Sequence, residues 1–176
     1  FPSSGVILVT GDVDGKRTKP VNEIILDWLR AKSKTDHLPL LIEADGSRQK
    51  PLKAPAPHEP AIPSFAEIVV HVVGMSALGK PLEDQHVHRA GIFSELTGLA
   101  LGETLTAESL VKLLLHPQGG LKAVPANARH IVLLNQANTL ELQSIGGSVA
   151  RQLLNAYDSV IVGSLQQNNL QVAEKT

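Results

Sequence analysis

The sequence predicts an α/β protein with a mostly parallel sheet and helices on both faces. Short apolar segments rich in Val, Ile and Leu alternate along the chain with longer segments whose apolar residues recur at helical spacing. Strands that alternate with helices are joined by right-handed crossovers into parallel sheets. Aromatic residues make up only 3% of the chain, so the core is aliphatic, as suits strands buried on both faces. The length of 176 residues fits a single domain over residues 1–176.

Apolar, β-branched runs predict buried strands. These runs cover residues 5–11, 38–44, 66–74, 129–134 and 158–163. The polar tail, residues 165–176, is expected to add one short edge strand. In sheets of this kind ligands bind at the carboxyl ends of the strands, so the loops after these strands form the expected functional edge.

Helical spacing of apolar residues predicts helices between the strands. The predicted helices cover residues 20–32, 90–98, 106–115 and 139–156. Residues 45–64 contain five prolines and therefore form neither a helix nor a central strand. A connection of this length is usually functional or disordered, so it is the first place to look for chemistry.

Composition excludes several classes of function. The net charge of −1 gives no general attraction to nucleic acid or to an anionic membrane. The absence of cysteine removes disulfides, thiolate metal sites and cysteine nucleophiles, and it fits a reducing, cytoplasmic compartment. No apolar run approaches the ~20 residues that span a bilayer.

Two carboxylates follow the second predicted strand. Glu43 and Asp45 are two positions apart, so an extended chain places them on one side. Nucleotide-hydrolysing folds hold Mg²⁺ through water with acids at the end of an apolar strand, and Gly46 would let the backbone turn close to a phosphate. A strand that ends in solvated acids is the alternative, because short patterns of this kind are common by chance.

The proline-rich loop also carries cations. Arg48, Lys50 and Lys53 follow the two acids and could bind phosphate or an anionic cofactor, or else form a solvated loop with balancing charges. His58 and Glu59 lie further along the same loop.

Histidines offer a third kind of chemistry. Asp84, His86, His88 and Arg89 cluster in a later loop, and alternating histidines can share a metal ion. A metal-dependent hydrolase using His58, His86 and His88 is therefore one interpretation. A surface or hydrogen-bonding role is the alternative, because no third ligand is placed by the sequence.

The fourth predicted strand runs into a polar turn, Asn135-Gln136-Ala137-Asn138. The turn resembles the Asn-Lys-x-Asp signature that reads guanine in GTP-binding folds, with Asn138 in the position of the acid. An amide accepts only one of the two hydrogen bonds that an acid accepts from guanine, so guanine selectivity is not predicted. A strand-to-helix turn capped by Asn138 or Thr139 is the alternative. Ser164, after the fifth strand, would lie beside this turn.

The segment Gly11–Thr18 resembles a phosphate-binding loop but does not match it. The pattern G-x-x-x-x-G-K-[ST] needs one more residue, and Arg17 stands before Thr18. Acidic Asp12 and Asp14 would also repel a phosphate, so this segment is rejected as a Walker A loop.

Several long stretches resemble one family, the accessory proteins of selenium-dependent hydroxylases (the YqeC family). The stretches are EADGSRQKPLKAPAPHEPAIP at 43–63, VVGMSALGKPL at 72–82, VHR at 87–89, HPQGGLKAVP at 116–125 and LLNQAN at 133–138. The resemblance implies a three-layer sandwich like that of P-loop NTPases, of the GTPase-like branch. It also implies a part in maturation of, or cofactor insertion into, selenium-dependent molybdenum hydroxylases.

The resemblance assigns roles to the candidate residues. It makes Glu43 and Asp45 Walker B-like acids that bind Mg²⁺ with GTP or ATP. The loop over the active site would contain Arg48, Lys50, Lys53, His58, Glu59, His88 and Arg89, and the base would be read by Asn135, Gln136, Asn138 and Ser164. Gln136 and Asn138 depart from the expected Lys and Asp. The family's Walker A strand and helix are expected upstream of Gly5, as an N-terminal unit absent from this chain.

Two functions follow from these residues and the resemblance. The first is a nucleotide-dependent accessory protein, with hydrolysis of the nucleotide left open. The second is a non-catalytic chaperone or carrier that binds the anionic molybdenum cofactor as cargo, or binds the client hydroxylase.

Overall fold

The computed structural model describes residues 5–15 and 17–175. The chain divides into two compact units, Phe1–Glu43 and Ala44–Thr176. The single domain predicted over residues 1–176 stays a prediction. Within the described ranges, no helix is both long enough and apolar enough to cross a membrane.

The N-terminal unit contains a short hairpin and one helix. Strands β1 (Val13–Asp14) and β2 (Arg17–Thr18) pair antiparallel in the segment that was rejected as a phosphate loop; Lys16 of that segment lies outside the described residues. Helix α1 (Glu23–Asp36) begins where the Asn22 side chain accepts a hydrogen bond from the Ile25 amide at 2.9 Å. The predicted helix at 20–32 is thus confirmed, three to four residues further along the chain.

Two predicted strands are wrong. Residues 5–11 and 38–44 form neither helix nor strand. A strand requires a neighbour that pairs with its backbone, and no described residue pairs with either segment in a ladder. Leu8 and Leu41 are accordingly 86% and 90% exposed.

The C-terminal unit is built on a four-stranded sheet in the order β4-β6-β7-β8. Its strands are β4 (Ile68–Gly74), β6 (Arg129–Asn135), β7 (Ser159–Ser164) and β8 (Asn169–Glu174). The first three run parallel and β8 returns antiparallel to β7 as the predicted edge strand. Two shorter strands, β3 (Leu52–Lys53) and β5 (Val87–His88), form a separate parallel pair. The predicted strands in this unit are confirmed to within two residues at each end.

Three helices connect these strands. They are α2 (Ala90–Thr97), α3 (Ala107–Leu115) and α4 (Leu140–Leu153), close to the predicted ranges. Helix α3 begins with a reciprocal capping box, in which Thr106 and Ser109 each accept a hydrogen bond from the other's backbone. Helix α4 begins at the Thr139 cap, which settles the choice between Asn138 and Thr139. The C-terminal unit is therefore an α/β structure with a mixed, mainly parallel sheet.

The two faces of this sheet differ. Helix α4 packs on the face that carries the buried side chains of Val160 and Val162. The opposite face carries Ile68, Val70 and Val72, each about half exposed. Helices were predicted on both faces of the sheet. In the described part of this unit they cover only one face.

A polar cluster lies within the helix-covered face. His130 is 7% exposed, and its ring centroid lies 4.2 Å from that of Tyr157. The Tyr157 hydroxyl donates to the buried Leu114 carbonyl at 2.7 Å. The Nε2 atom of His130 is buried and finds no hydrogen-bond partner among the described residues. Burial first, and then neighbouring His71, lowers the pKa of His130 to about 4.

Candidate functional site

The carboxyl ends of β4, β6 and β7 meet at one edge of the sheet. Gly74 pairs in register with Asn135, and β7 ends at Ser164 beside them. The Asn135 side chain accepts a hydrogen bond from the Leu165 amide at 3.0 Å, and the Ala137 amide donates to the Gly163 carbonyl at 2.9 Å. The structure thus brings together the predicted base-reading residues Asn135 and Ser164.

Gln136 turns toward the end of β4. Its φ of 62° lies in the left-handed region, and the Ser76 hydroxyl donates to its side-chain oxygen. A Cβ atom added at Gly74 would lie 2.5 Å from that oxygen and 2.7 Å from the Cβ of Pro51, so only glycine fits here. Gln136 therefore joins the polar turn to β4, while Asn138 is exposed and its side chain is open to solvent.

The proline-rich loop reaches the same edge. The Gly74 amide donates to the Pro51 carbonyl at 2.8 Å, which anchors the loop on the end of β4. Parallel pairing of β3 with β5 then places Lys53 opposite His88. The loop after Asp45 and the Val-His-Arg segment, which are far apart in the sequence, are therefore adjacent in the fold.

The Lys53 ammonium is paired within the proline-rich loop. Its ammonium lies 2.8 Å from an Asp45 oxygen, 2.9 Å from a Glu59 oxygen and 3.0 Å from the Gly46 carbonyl. The three acceptors match the three donors of an ammonium group, and the side chain is only 12% exposed. The predicted direct contact between Lys53 and phosphate is therefore not available in this arrangement.

Glu59 lies at the centre of the loop's ionic network. Arg89 donates to both of its oxygens, at 2.7 and 2.9 Å, and Lys53 pairs with one of them. Burial alone would raise the pKa of Glu59, but the hydrogen bonds from Arg89 and Lys53 outweigh it and lower the pKa to about 2. His58, by contrast, is 80% exposed at the rim of the loop.

His88 lies at this edge, opposite Lys53 and next to Arg89 in the chain. It is buried, and burial is the largest cause of its lowered pKa. Four cations add to the effect, in the order Arg89, Arg48, Lys53 and Lys50. Lys53, by strand register, and Arg89, by chain sequence, are thus the two cations placed beside His88.

Arg48 and Lys50 have no carboxylate partner among the described residues. Lys53 and Arg89 are balanced by Asp45 and Glu59, whereas no ion pair involves Arg48 or Lys50. Arg48 is exposed and has a left-handed φ of 55°, and Lys50 is half-buried. Backbone strain of this kind clusters at functional sites, and the arrangement can bind an anion from solvent.

The magnesium site predicted at Glu43 and Asp45 stays a prediction. The extended strand that was expected to place Glu43 and Asp45 on one side is absent, and Asp45 pairs with Lys53 instead. Glu43 belongs to the N-terminal unit. In the residues that the structure describes, no three His, Asp or Glu side chains gather as metal ligands, so the interpretation with His58, His86 and His88 finds no support.

One contact of the loop was missed from the sequence. The Lys122 ammonium donates to the Ala56 carbonyl at 2.6 Å and to the Pro57 carbonyl at 3.1 Å. This contact fixes the middle of the proline-rich loop against the segment after α3. The signal was present, because Lys122 lies in the stretch 116–125 that resembles the accessory-protein family.

Comparison with known proteins identifies the family of the chain. Residues 2–91 match the family described as YqeC protein. The chain is 40% identical over 131 residues to Uncharacterized protein YqeC of Escherichia coli (strain K12). The match covers 73% of this chain and 51% of that relative, so the chain spans about half the length of the curated relative. No solved structure matches the chain. The length of the family match places the chain in the YqeC family.

Proposed function

We propose that this chain binds a phosphate-bearing ligand, a nucleoside triphosphate with Mg²⁺, at the basic carboxyl edge of its sheet. The observation that carries the proposal is a set of four cations at this edge. Lys53 pairs in register with His88, and Arg89 follows His88. Arg48 and Lys50 lie in the loop that the Gly74 amide anchors at Pro51. Two of them, Arg48 and Lys50, remain without a carboxylate partner in the described network. Arg and Lys side chains that have no carboxylate partner are available to bind phosphate oxygens.

The residues present fit a Mg²⁺ ion that binds together with the nucleotide phosphates. Mg²⁺ usually keeps several waters and is bound by one or two carboxylates together with substrate phosphates. Asp45 uses one oxygen on Lys53, which leaves its other oxygen for a magnesium-bound water. Bound with the phosphates, Mg²⁺ would offset their negative charge, while Arg48 and Lys50 hold their outer oxygens.

The base would lie against the polar turn after β6. Asn135 is tied to the backbone after β7, and Gln136 is tied to Ser76, so both shape the turn. Exposed Asn138 is then the side chain available to a base, whereas Ser164 at the end of β7 is buried and accepts a hydrogen bond from the Gln167 amide. An amide at Asn138 accepts one hydrogen bond and donates another, so GTP and ATP are both ligands in this proposal.

We assign this binding to the maturation of a selenium-dependent molybdenum hydroxylase, as the family resemblance implies, and to the cytoplasm, which the absence of cysteine favours. The three-layer P-loop NTPase-like architecture is part of the same proposal. Hydrolysis of the bound nucleotide is the catalytic form of this proposal. Water attack on the nucleotide would need Asp45 to orient the water.

A non-catalytic carrier is the second candidate function. The 2.8 Å ion pair between Lys53 and Asp45 favours it, because a carboxylate held by an ammonium is a weaker partner for magnesium or water. The molybdenum cofactor is also a phosphate-bearing anion, so Arg48 and Lys50 would hold it in the same way.

Calorimetric titration with ATP and GTP, with and without Mg²⁺, tests the proposal. Arg48→Ala and Lys50→Ala should each weaken binding about ten- to a hundredfold, the usual contribution of a charge-assisted hydrogen bond. Lys112→Ala is the matched control, because Lys112 lies on α3 and pairs with Glu108. Absence of binding, or equal affinities in all four proteins, would overturn the proposal.

Phosphate release separates the two candidate functions. A nucleotide hydrolase should lose turnover in Asp45→Asn while still binding nucleotide. A carrier should bind the ligand and release no phosphate in either protein.

A further inference from the structure

The Glu59 carboxylate is bound by a group of donors that could also bind another anion. Arg89 donates two hydrogen bonds to its two oxygens, at 2.7 and 2.9 Å. Lys53 contributes an ammonium at 2.9 Å, and the Ala56 amide donates at 3.3 Å. Glu59 is 17% exposed, so an anion in its place would be largely shielded from water.

Arg89 and Lys53 each have further contacts that do not depend on Glu59. Arg89 also donates to the Ala54 carbonyl at 3.3 Å, and the backbone of β5 fixes its base next to His88. Lys53 also bonds to Asp45 and to the Gly46 carbonyl. Removal of the Glu59 carboxylate would therefore leave an ordered group of donors rather than a collapsed loop.

The geometry of this group suits a phosphate. A guanidinium fork binds a carboxylate and a phosphate through the same two parallel N–H···O bonds. The flanking residues on the loop, Pro57 and His58, are exposed, so the segment that carries Glu59 lies at the surface. The two unpaired cations of the proposed nucleotide site, Arg48 and Lys50, precede Lys53 on the same loop, which the Gly74 amide anchors at Pro51.

We propose that Glu59 is an internal anion that blocks a second phosphate subsite formed by Arg89, Lys53 and the Ala56 amide. This inference rests on the proposed function, because the subsite extends the anion site at Arg48 and Lys50. An incoming phosphate gains Arg89 only when Glu59 withdraws, so Glu59 makes an autoinhibitory contact. Ligand binding then displaces the Glu59 side chain from these donors, and loss of ligand lets it return.

Titration of the whole chain with inorganic pyrophosphate and with ATP·Mg²⁺ tests the contact. Glu59→Gln keeps the shape of the side chain but removes the competing charge, so affinity should rise about ten- to a hundredfold. Glu108→Gln makes the same change in net charge at an exposed pair on α3 and should leave affinity unchanged. Adding Arg89→Ala to Glu59→Gln should abolish the gain, which a purely structural role of Glu59 would not predict.

The outcomes separate this inference from the proposed function. Wild-type binding with equal or weaker binding in Glu59→Gln overturns the autoinhibitory contact alone. No binding in either protein overturns both proposals. If circular dichroism shows that Glu59→Gln does not fold, Glu59→Asp provides the test, because a side chain one methylene shorter keeps the charge but loses the bidentate contact. A gain in that variant supports the contact, and no gain overturns it.

Discussion

His130 should make the C-terminal unit sensitive to mild acid. Its imidazole is 7% exposed and its Nε2 atom has no partner among the described residues, so a proton added there would have no acceptor nearby. Asp158 is the nearby carboxylate, but it already accepts a hydrogen bond from the His130 backbone at 2.8 Å. Burial is the largest cause of the lowered pKa, and the second imidazole, His71, adds to it.

The magnitude follows from linkage between proton binding and unfolding. The pKa of His130 falls from 6.5 in an exposed histidine to about 4 in the fold. Below pH 6.5 the unfolded chain therefore binds a proton that the folded chain does not, and the free energy of unfolding falls with pH. The loss between pH 7 and pH 5 is up to about 2 kcal/mol, and by pH 4 it reaches up to about 3 kcal/mol.

Urea unfolding at pH 7 and pH 5, followed by circular dichroism, measures this loss. In His130→Phe an aromatic ring still packs on Tyr157 but cannot bind a proton, so the loss should shrink by about 2 kcal/mol. His37→Asn is the control, because His37 is an exposed residue in the left-handed region that Asn tolerates. Equal acid-induced losses in wild type and His130→Phe would refute the reasoning.

Four further substitutions test packing and the ionic network by chemical denaturation. Gly146→Ala should destabilise by about 1–3 kcal/mol, because its Cβ would lie 2.4 Å from Val162. Gly147→Ala adds a carbon in open space and should instead stabilise the protein by about 1 kcal/mol. If Gly146→Ala and Gly147→Ala change the stability in the same direction, the packing of α4 on Val162 is contradicted. Tyr157→Phe should cost about 1–2 kcal/mol by leaving a buried carbonyl unpaired. Lys53→Met should cost about 1–3 kcal/mol and lower the melting temperature, whereas an unchanged melting temperature would show that the loop is held by other contacts.

The sequence predicted the core of the C-terminal unit well because pattern and packing agree there. β4, β6 and β7 are apolar on both faces and pair with one another, and the intervening helices carry clear caps such as Thr106. The segments 5–11 and 38–44 have the same composition but form no strand. Composition indicates that a segment can form a strand, whereas a partner decides whether it does, and the partner is a property of the whole fold.

The proline-rich loop and the polar turn after β6 meet at one edge, but the sequence-based reason for the position of the loop was wrong. The predicted strand 38–44, expected to lead into the loop, does not form, and the loop is held at the edge by the hydrogen bond from the Gly74 amide to the Pro51 carbonyl. The sequence did not indicate that Lys53 and Arg89 are neutralised by Asp45 and Glu59. These ion pairs depend on how the loop folds back between residues 45 and 59, and residue types alone do not encode that path.

Chemical-shift mapping of the isotope-labelled chain with ATP·Mg²⁺ tests the central claim most directly, because it locates the ligand. The account predicts saturable shifts concentrated at Gly46–Lys50, at His88 and in the turn Asn135–Asn138. It predicts none on β8 beyond its first residues. Absence of saturable shifts, or shifts confined to surfaces away from this edge, would contradict the claim that the basic carboxyl edge binds phosphate.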